Sequence, residues 1–137
     1  DANLEVSGPE GLSGQNIAVA RASTQDTSIT EIAPADANIQ RFDDDATAVQ
    51  ALLSGQTPLM GASNVVISQI NAMAPDRFDT KFSLRQQSQA IAVRPGSDEL
   101  LAYINDFLAR VKADGSINAL HEEWVGGPLP EFVVSGQ

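Results

Sequence analysis

Between residues 16 and 74 the sequence passes three times from a strand-length apolar run to a helical stripe, a pattern that leaves few folds open. Asn16-Ile17-Ala18-Val19-Ala20 is a compact apolar run. Residues 25–32, with Ile29 and Ile32 three apart, read as a short helix. Residues 38–42 give a second strand. Asp43-Asp44-Asp45 then supplies an N-cap and first-turn acids, which suit the positive end of a helix carrying Val49, Leu52 and Leu53 and stopping at Gly55. Residues 57–60 give a third strand, and residues 63–74 a helix with Val66, Ile67, Ile70 and Met73 on one stripe, closed by Pro75. Parallel strands need long crossovers, and helices supply them here. The expectation is a parallel sheet with right-handed crossovers.

The flanks are organised differently. Residues 1–12 are polar, contain Gly8-Pro9 and show no period, so they read as a lead-in segment. Residues 81–84 and 89–93 are two further strand candidates before Pro95-Gly96. The last third is helical: Ser97 stands as the cap of a segment whose Leu100, Leu101, Ile104, Phe107, Leu108 and Val111 recur at helical spacings, with Gly115 as its stop. A second helix over residues 116–124 ends at Gly126-Gly127-Pro128, and the tail to Gln137 reads as loosely held. The expected division is a lead-in at residues 1–12, an α/β lobe at 13–94 and C-terminal helices with a tail at 95–137. The fold class is α/β, a mostly parallel central sheet flanked by helices and followed by two C-terminal helices.

Composition narrows the function. A length of 137 residues suits one sizeable core, and 18 acidic against 8 basic residues leave a net charge of -10. Such a chain has no cationic face to release counterions from a phosphate backbone, so neither nucleic acid nor an anionic membrane is an expected partner. No run of 18 apolar residues exists, and Asp1-Ala2-Asn3-Leu4-Glu5 lacks the charged-then-apolar layout of a signal peptide. The absence of cysteine removes disulfides, zinc clusters and thiol nucleophiles. His121, the lone histidine, lies beside Glu122 and Glu123 and reads as a solvated helix residue. Trp124 reads as a packing anchor at the helix end. No nucleophile or paired acid stands at a spacing suited to general acid/base work, so no enzyme, metal site or cofactor is expected.

In an open parallel sheet, ligands bind beyond the carboxyl ends of the strands. Three loops qualify: Arg21-Ala22-Ser23-Thr24, Asp43-Asp44-Asp45 and Gly61-Ala62-Ser63-Asn64. The first sets two hydroxyls beside the free amides of a helix start, which suits a carboxylate or other anion; from spacing alone, plain capping by Ser23 or Thr24 is the better reading. The third is small enough for close approach, and Ser63 is again a possible cap. The aspartates could hold a cation or ammonium, or serve as cap and solvated acids.

Taken in order, residues 14–22 with Ser23-Thr24-Gln25, Arg41-Phe42-Asp43-Asp44 with Ala51-Leu52-Leu53-Ser54-Gly55, Ala90-Ile91-Ala92-Val93-Arg94-Pro95-Gly96, and Lys112-Ala113-Asp114-Gly115-Ser116 with Glu123-Trp124 resemble the second half of a periplasmic amino-acid-binding protein of the ABC transporters. The resemblance spans residues 11–126. It implies two α/β lobes joined by hinge strands, with residues 14–84 as the second lobe, 89–93 containing the return hinge, and residues from 97 onward packing on the first lobe. It implies that Ala22-Ser23-Thr24-Gln25 matches a ligand-contacting Gly-Ser/Thr-Thr-Gln loop, with Ala22 in place of the usual glycine. It also places Ala62 where the family usually carries an acid for the ligand's ammonium. A buried ammonium without a carboxylate partner is costly, so such a site disfavours a free α-amino acid.

The expected function is therefore a periplasmic solute-binding module for an amino acid or related organic anion, delivering it to a membrane ABC permease. Arg21, Ser23, Thr24, Gln25, Ala62 and Ser63 are the candidate ligand residues. A sensor domain of a receptor or kinase and a non-binding interaction piece are the alternatives, and a dehydratase-like enzyme is a more distant one. The front half of the first lobe is expected to lie outside this sequence. Unless a separate chain supplies it, or the helix folds back on its own sheet, the stripe Leu100, Leu101, Ile104, Phe107, Leu108 and Val111 is too apolar to face water. The chain alone is then expected to dimerise through that stripe. Light scattering at micromolar concentration checks this: a monodisperse 14.5 kDa species would show the stripe satisfied within the chain.

Overall fold

The computed structural model describes residues 1–86 and 89–135. Two compact units emerge, residues 1–86 and 87–137. In the first unit the element order is β1 (Asn16–Ala20), α1 (Thr24–Ile32), β2 (Asn38–Phe42), α2 (Asp45–Leu53), β3 (Leu59–Met60) and α3 (Asn64–Met73). The three strands form one parallel sheet in the order β2-β1-β3. Ala20 pairs with Phe42, and Ala18 with Met60. β3 is shorter than the expected 57–60, because Pro58 has no N–H to give a ladder and Thr57 donates its own to the Ala51 carbonyl of α2.

β1 is the middle strand and is buried from Ile17 to Ala20. Its alternate residues serve different faces. Ile17 and Val19 cluster with Leu59, Ile29 of α1, Val6 and Leu12. On the other face, Val49 and Leu52 of α2 pack with Val66 and Ile70 of α3, and Met60 lies against them. Fully buried Ala18 and Ala48 leave room for α2 to approach the strand closely. The lead-in is thus part of the core: Val6 is buried, Leu12 ends a short 3₁₀ turn (Pro9–Leu12), and the Ala2 N–H donates to the Arg77 carbonyl.

Residues 81–84 and 89–93, expected as strands, are not strands in this structure. A strand requires a ladder partner, and among the described residues the sheet ends at β3. Phe82 and Leu84 instead pack their side chains against the β1 core cluster.

The second unit contains α4 (Asp98–Ala113), α5 (Ser116–Val125) and a short α6 (Glu131–Ser135). α4 packs on α5. Gly115, at φ +80°, makes the left-handed turn that ends α4. Ser97 precedes α4 but its side chain makes no cap: at ψ 51° it lies outside the extended geometry that aims a hydroxyl at the third amide of a helix. The tail is more structured than expected, since α6 accepts a hydrogen bond from Lys112 Nζ at the Val133 carbonyl, 2.7 Å. Its last residues, Gly136 and Gln137, lie outside the described residues. His121 is half-buried, with Nδ1 2.7 Å from the Gly127 carbonyl oxygen, so it closes the end of α5 rather than sitting in solvent. Trp124 is 72% exposed and is no packing anchor. The half-buried positions of α5 are Ile117, Asn118, His121 and Val125, a register that leaves the indole outside. Along α4, Leu100, Leu101 and Phe107 are exposed, and Ile104, Leu108 and Val111 half-buried.

One core atom lacks a partner. Thr57 is fully buried, and its Oγ1 has no hydrogen bond among the described residues. A buried hydroxyl without a partner destabilises, whereas a methyl of the same shape does not. Thr57→Val is expected to raise the unfolding free energy by about 1 kcal/mol in urea titrations.

Candidate functional site

The strand order β2-β1-β3 sets where a ligand can approach. From β1 the chain crosses to one side of the sheet and from β2 it crosses back past β1, so the carboxyl ends of β1 and β3 flank the point where the winding reverses. The loops leaving those two ends are residues 21–23 and 61–63. Each opens a helix. Ser23, Asp44 and Ser63 all occupy extended backbone, at ψ 165°, 173° and 161°, and each side chain accepts the third helical amide: Asp26 N–H at 3.0 Å, Thr47 N–H at 2.8 Å and Val66 N–H at 3.4 Å. Both capping serines and Asp44 thus play the cap roles that their positions in the sequence suggested. Asp44 forms a full capping box with Thr47, and those hydrogen bonds hold its carboxyl below the usual carboxylate range.

Capping leaves donors unused. The first two amides of a helix have no intrahelical acceptor, so α1 presents the N–H groups of Thr24 and Gln25 beyond the sheet edge. The Thr24 hydroxyl is exposed, donating only to Gln25 Oε1 at 3.2 Å. Arg21 is also exposed; its Nη2 donates to the Arg41 carbonyl at 3.2 Å, and its Nε lies 3.8 Å from Asp43 Oδ1. Arg21 therefore ties the first loop to the second, rather than reaching over the start of α1.

Gly61 brings the first and third loops together. Strand alternation would aim a side chain at position 61 toward the α1 face, where Ile29 and Gln25 already lie. An added Cβ would stand 2.4 Å from Ile29 Cδ1, 3.2 Å from Val19 Cγ1 and 3.4 Å from Gln25 Cβ. Only glycine lets the first turn of α1 lie this close to the loop after β3. Ala62 is half-buried against the α2–α3 cluster, and Ser63 is exposed. The candidates Ser23, Thr24, Gln25, Ala62 and Ser63 thus border one short stretch of sheet edge.

Sequence reading missed Asp26. It stands third in α1, is 8% exposed, and accepts hydrogen bonds from Ala22 N–H at 3.0 Å, Arg41 Nε at 2.9 Å and Thr30 Oγ1 at 3.3 Å. Arg41 Nη2 also donates to Thr30 Oγ1 at 2.8 Å. Desolvation pushes the Asp26 carboxyl up, but the Ala22 N–H, the charge of Arg41 and the Thr30 hydroxyl outweigh it, and the net shift is downward. The available signal was an acid three residues after a cap serine, which in a capping box reaches back to free backbone amides.

A lobe of this topology, with helix starts gathered at the reversal point of a parallel sheet, is the architecture of a small-molecule binding module. The chain matches the family model of the bacterial extracellular solute-binding proteins, family 3, over residues 2–127, and it belongs to that family. It is 27% identical to the L-cystine-binding protein TcyJ of Escherichia coli K12 over 93 residues, 67% of this chain and 35% of the relative. It is also 27% identical to the ABC transporter glutamine-binding protein GlnH of Bacillus subtilis over 112 residues, 82% of this chain and 41% of the relative. Among solved structures, the ancestral amino acid-binding protein AncCDT-1, a precursor of cyclohexadienyl dehydratase, superposes with a TM-score of 0.68 at 27% identity, covering 91% of this chain and 52% of that one. The chain thus spans between about a third and a half of the length of these relatives.

Two outcomes follow. Gly61→Ala is expected to cost about 1–3 kcal/mol of stability by overpacking, and Ile29→Val, which removes the clashing Cδ1, to recover part of that loss; a double-mutant denaturation cycle measures the coupling. The lowered carboxyls of Asp26, Asp44 and Asp114 set the acid limb. A carboxyl lowered on folding stabilises above its unfolded value, near 4, and that stability is lost as pH falls through the folded value. Urea midpoints between pH 6 and pH 2 are expected to fall below about pH 4. Asp26→Asn is expected to shift most at neutral pH and to lessen the fall.

Proposed function

We propose that this chain is the ligand-binding lobe of a solute-binding protein that passes a polar small molecule to a membrane ABC permease from the periplasmic or extracellular side. What carries the reading is the placement of two helix starts, α1 and α3, on the adjacent carboxyl ends of β1 and β3, with Gly61 holding them close. Family membership supports a binding role, and the names of TcyJ and GlnH point to amino acids as the solute class. In this reading the N–H groups of Thr24 and Gln25, with the Thr24 hydroxyl, hold a carboxylate or carbonyl oxygen at the positive end of α1. Ser23 keeps its proton available for the same group while its oxygen accepts the Asp26 amide. Arg21 contributes long-range positive charge. Ala62 and Ser63 form the second wall, and the absence of an acid there favours an organic anion over a free α-amino acid.

In the same proposal the remaining part of a two-lobed protein, or a second copy of this chain, covers the α4 stripe. A dehydratase-like enzyme, the reading that the likeness to AncCDT-1 keeps in view, is less well supported. The lone histidine of the sequence, His121, is engaged at the end of α5 in the second unit.

Thermal-shift titration with glutarate, succinate, L-glutamine, L-arginine and L-cystine tests the reading. A binder present at about 100 times its dissociation constant stabilises by about 2.7 kcal/mol, a readily measured rise in melting temperature. Thr24→Ala is expected to weaken binding by about 1.5 to 3 kcal/mol, the value of a hydrogen bond to a charged group. Ala62→Asp is expected to shift preference from glutarate toward L-glutamine. No response to any of the five compounds would overturn the proposal.

A further inference from the structure

The first candidate loop contains a conformational cost. Ala22 has φ 59°, in the left-handed region that disfavours a side chain, and the residue that follows it must be extended to cap α1. The turn reverses the chain between Ala20 and Ser23 and decides where the amides of Thr24 and Gln25 come to rest. The Ser23 N–H closes the turn onto the Ala20 carbonyl at 3.2 Å and the Arg21 N–H donates to the Phe42 carbonyl at 2.8 Å, while at the left-handed residue itself Asp26 Oδ2 accepts the Ala22 N–H at 3.0 Å. That carboxylate is itself held at its other oxygen, by Arg41 of β2 at 2.9 Å and by Thr30 one turn further along α1 at 3.3 Å. Arg41 is the charged group that faces it, and the neighbouring Arg21 and Asp43 lie near each other, 3.8 Å apart. Asp26 is largely buried, and the three hydrogen bonds it accepts come from the loop, from β2 and from α1 itself.

We propose that Asp26 is the positioning residue of the ligand loop: anchored to β2 through Arg41, it locks the left-handed Ala22 turn and thereby sets the Thr24 and Gln25 donors where a ligand oxygen meets them. The inference rests on the reading that residues 21–25 contact the solute. The linkage makes the loop answer to β2, so Arg41, which lies outside the loop, controls affinity. Asp26→Asn keeps an oxygen that can accept from Ala22 but turns the ion pair into a neutral contact; Asp26→Ala removes both. Arg41→Gln leaves the carboxylate in place and frees it from its anchor.

Two measurements on the 13C,15N-labelled 137-residue chain decide the matter. Without ligand, the Ala22 amide proton is expected to move with pH at the same midpoint as the Asp26 carboxyl carbon, to stop titrating in Asp26→Asn, and to titrate at a higher midpoint in Arg41→Gln. An Ala22 amide indifferent to Asp26 titration overturns the proposal without bearing on whether the loop binds solute. With glutarate and L-glutamine as probes, the shifts of Thr24 and Gln25 are expected to weaken from wild type to Asp26→Asn to Asp26→Ala, with about a tenfold or greater loss of affinity in the last. The β1 and β3 amides are expected to stay in place, which separates a lost loop geometry from a lost fold. If Asp26→Ala does not fold, Asp26→Asn and Arg41→Gln carry the same comparison. Wild-type affinity in Asp26→Asn and Arg41→Gln would overturn the positioning role. Silence of wild type toward both probes, with the Ala22 titration intact, would count against residues 21–25 as a solute site and leave the anchoring of the turn standing.

Discussion

The central strand β1 has no side exposed to water, and the arrangement of the first unit follows from that. Val19 is fully enclosed between Leu59, Ile29 and the lead-in residues on its face, while Ala18 lies under α2 on the other. A parallel strand buried on both faces must be covered by crossover segments on both sides, and its neighbours must enter from opposite edges. Strand order β2-β1-β3 satisfies both demands with the fewest elements. The reversal point at the carboxyl edge is a consequence of the same winding, so the core and the candidate binding edge have one origin.

That edge is built by small choices rather than by large ones. Gly61 has no side chain because Ile29 occupies the space one would need, and the absence of that side chain is what brings the loop after β3 beside the start of α1. Ala22 accepts an unfavourable backbone region, and Asp26 is placed to stabilise it. Ser23 and Ser63 cap their helices and so leave the first two amides of each as the free donors. Capping and the proposed ligand binding are therefore compatible at one helix end. The sequence-level choice between a cap and a ligand site at Ser23 was a choice between amides, the third one capped and the first two free.

The second unit obeys different physics. α4 carries an apolar stripe whose Leu100 is 52% and Phe107 45% exposed, beside acidic and basic ends that match the helix dipole. Trp124 stands outside the buried register of α5. Local propensity explains why these helices form; what such a stripe packs against is a question of partners, and the matched segments are only 35%, 41% and 52% of the relatives' own lengths.

Much of the fold was legible from residue order. β1 falls where its apolar run predicted, because a strand buried on both faces needs that run; β2 also falls at 38–42, though none of its residues is fully buried, and α2 begins at its aspartates because an acid cap has few other uses there. The family, too, was legible as a succession of short segments in order. Residues 81–84 and 89–93 were not, since their composition suits a strand but a strand exists only where another offers it a ladder. Ser97 looked like a cap, and its backbone torsion, set by the chain around it, turned the hydroxyl away. Asp26 was missed because its partners, Ala22, Thr30 and Arg41, lie on a loop, a helix and a strand, and the last of them is 15 residues away. What the sequence determined by itself was periodicity, capping chemistry and charge, all of which act over a few neighbouring residues. Tertiary structure alone decided which carboxylate anchors the loop, which glycine admits a close approach and which apolar face is covered, because those depend on distances between segments that no local spacing encodes.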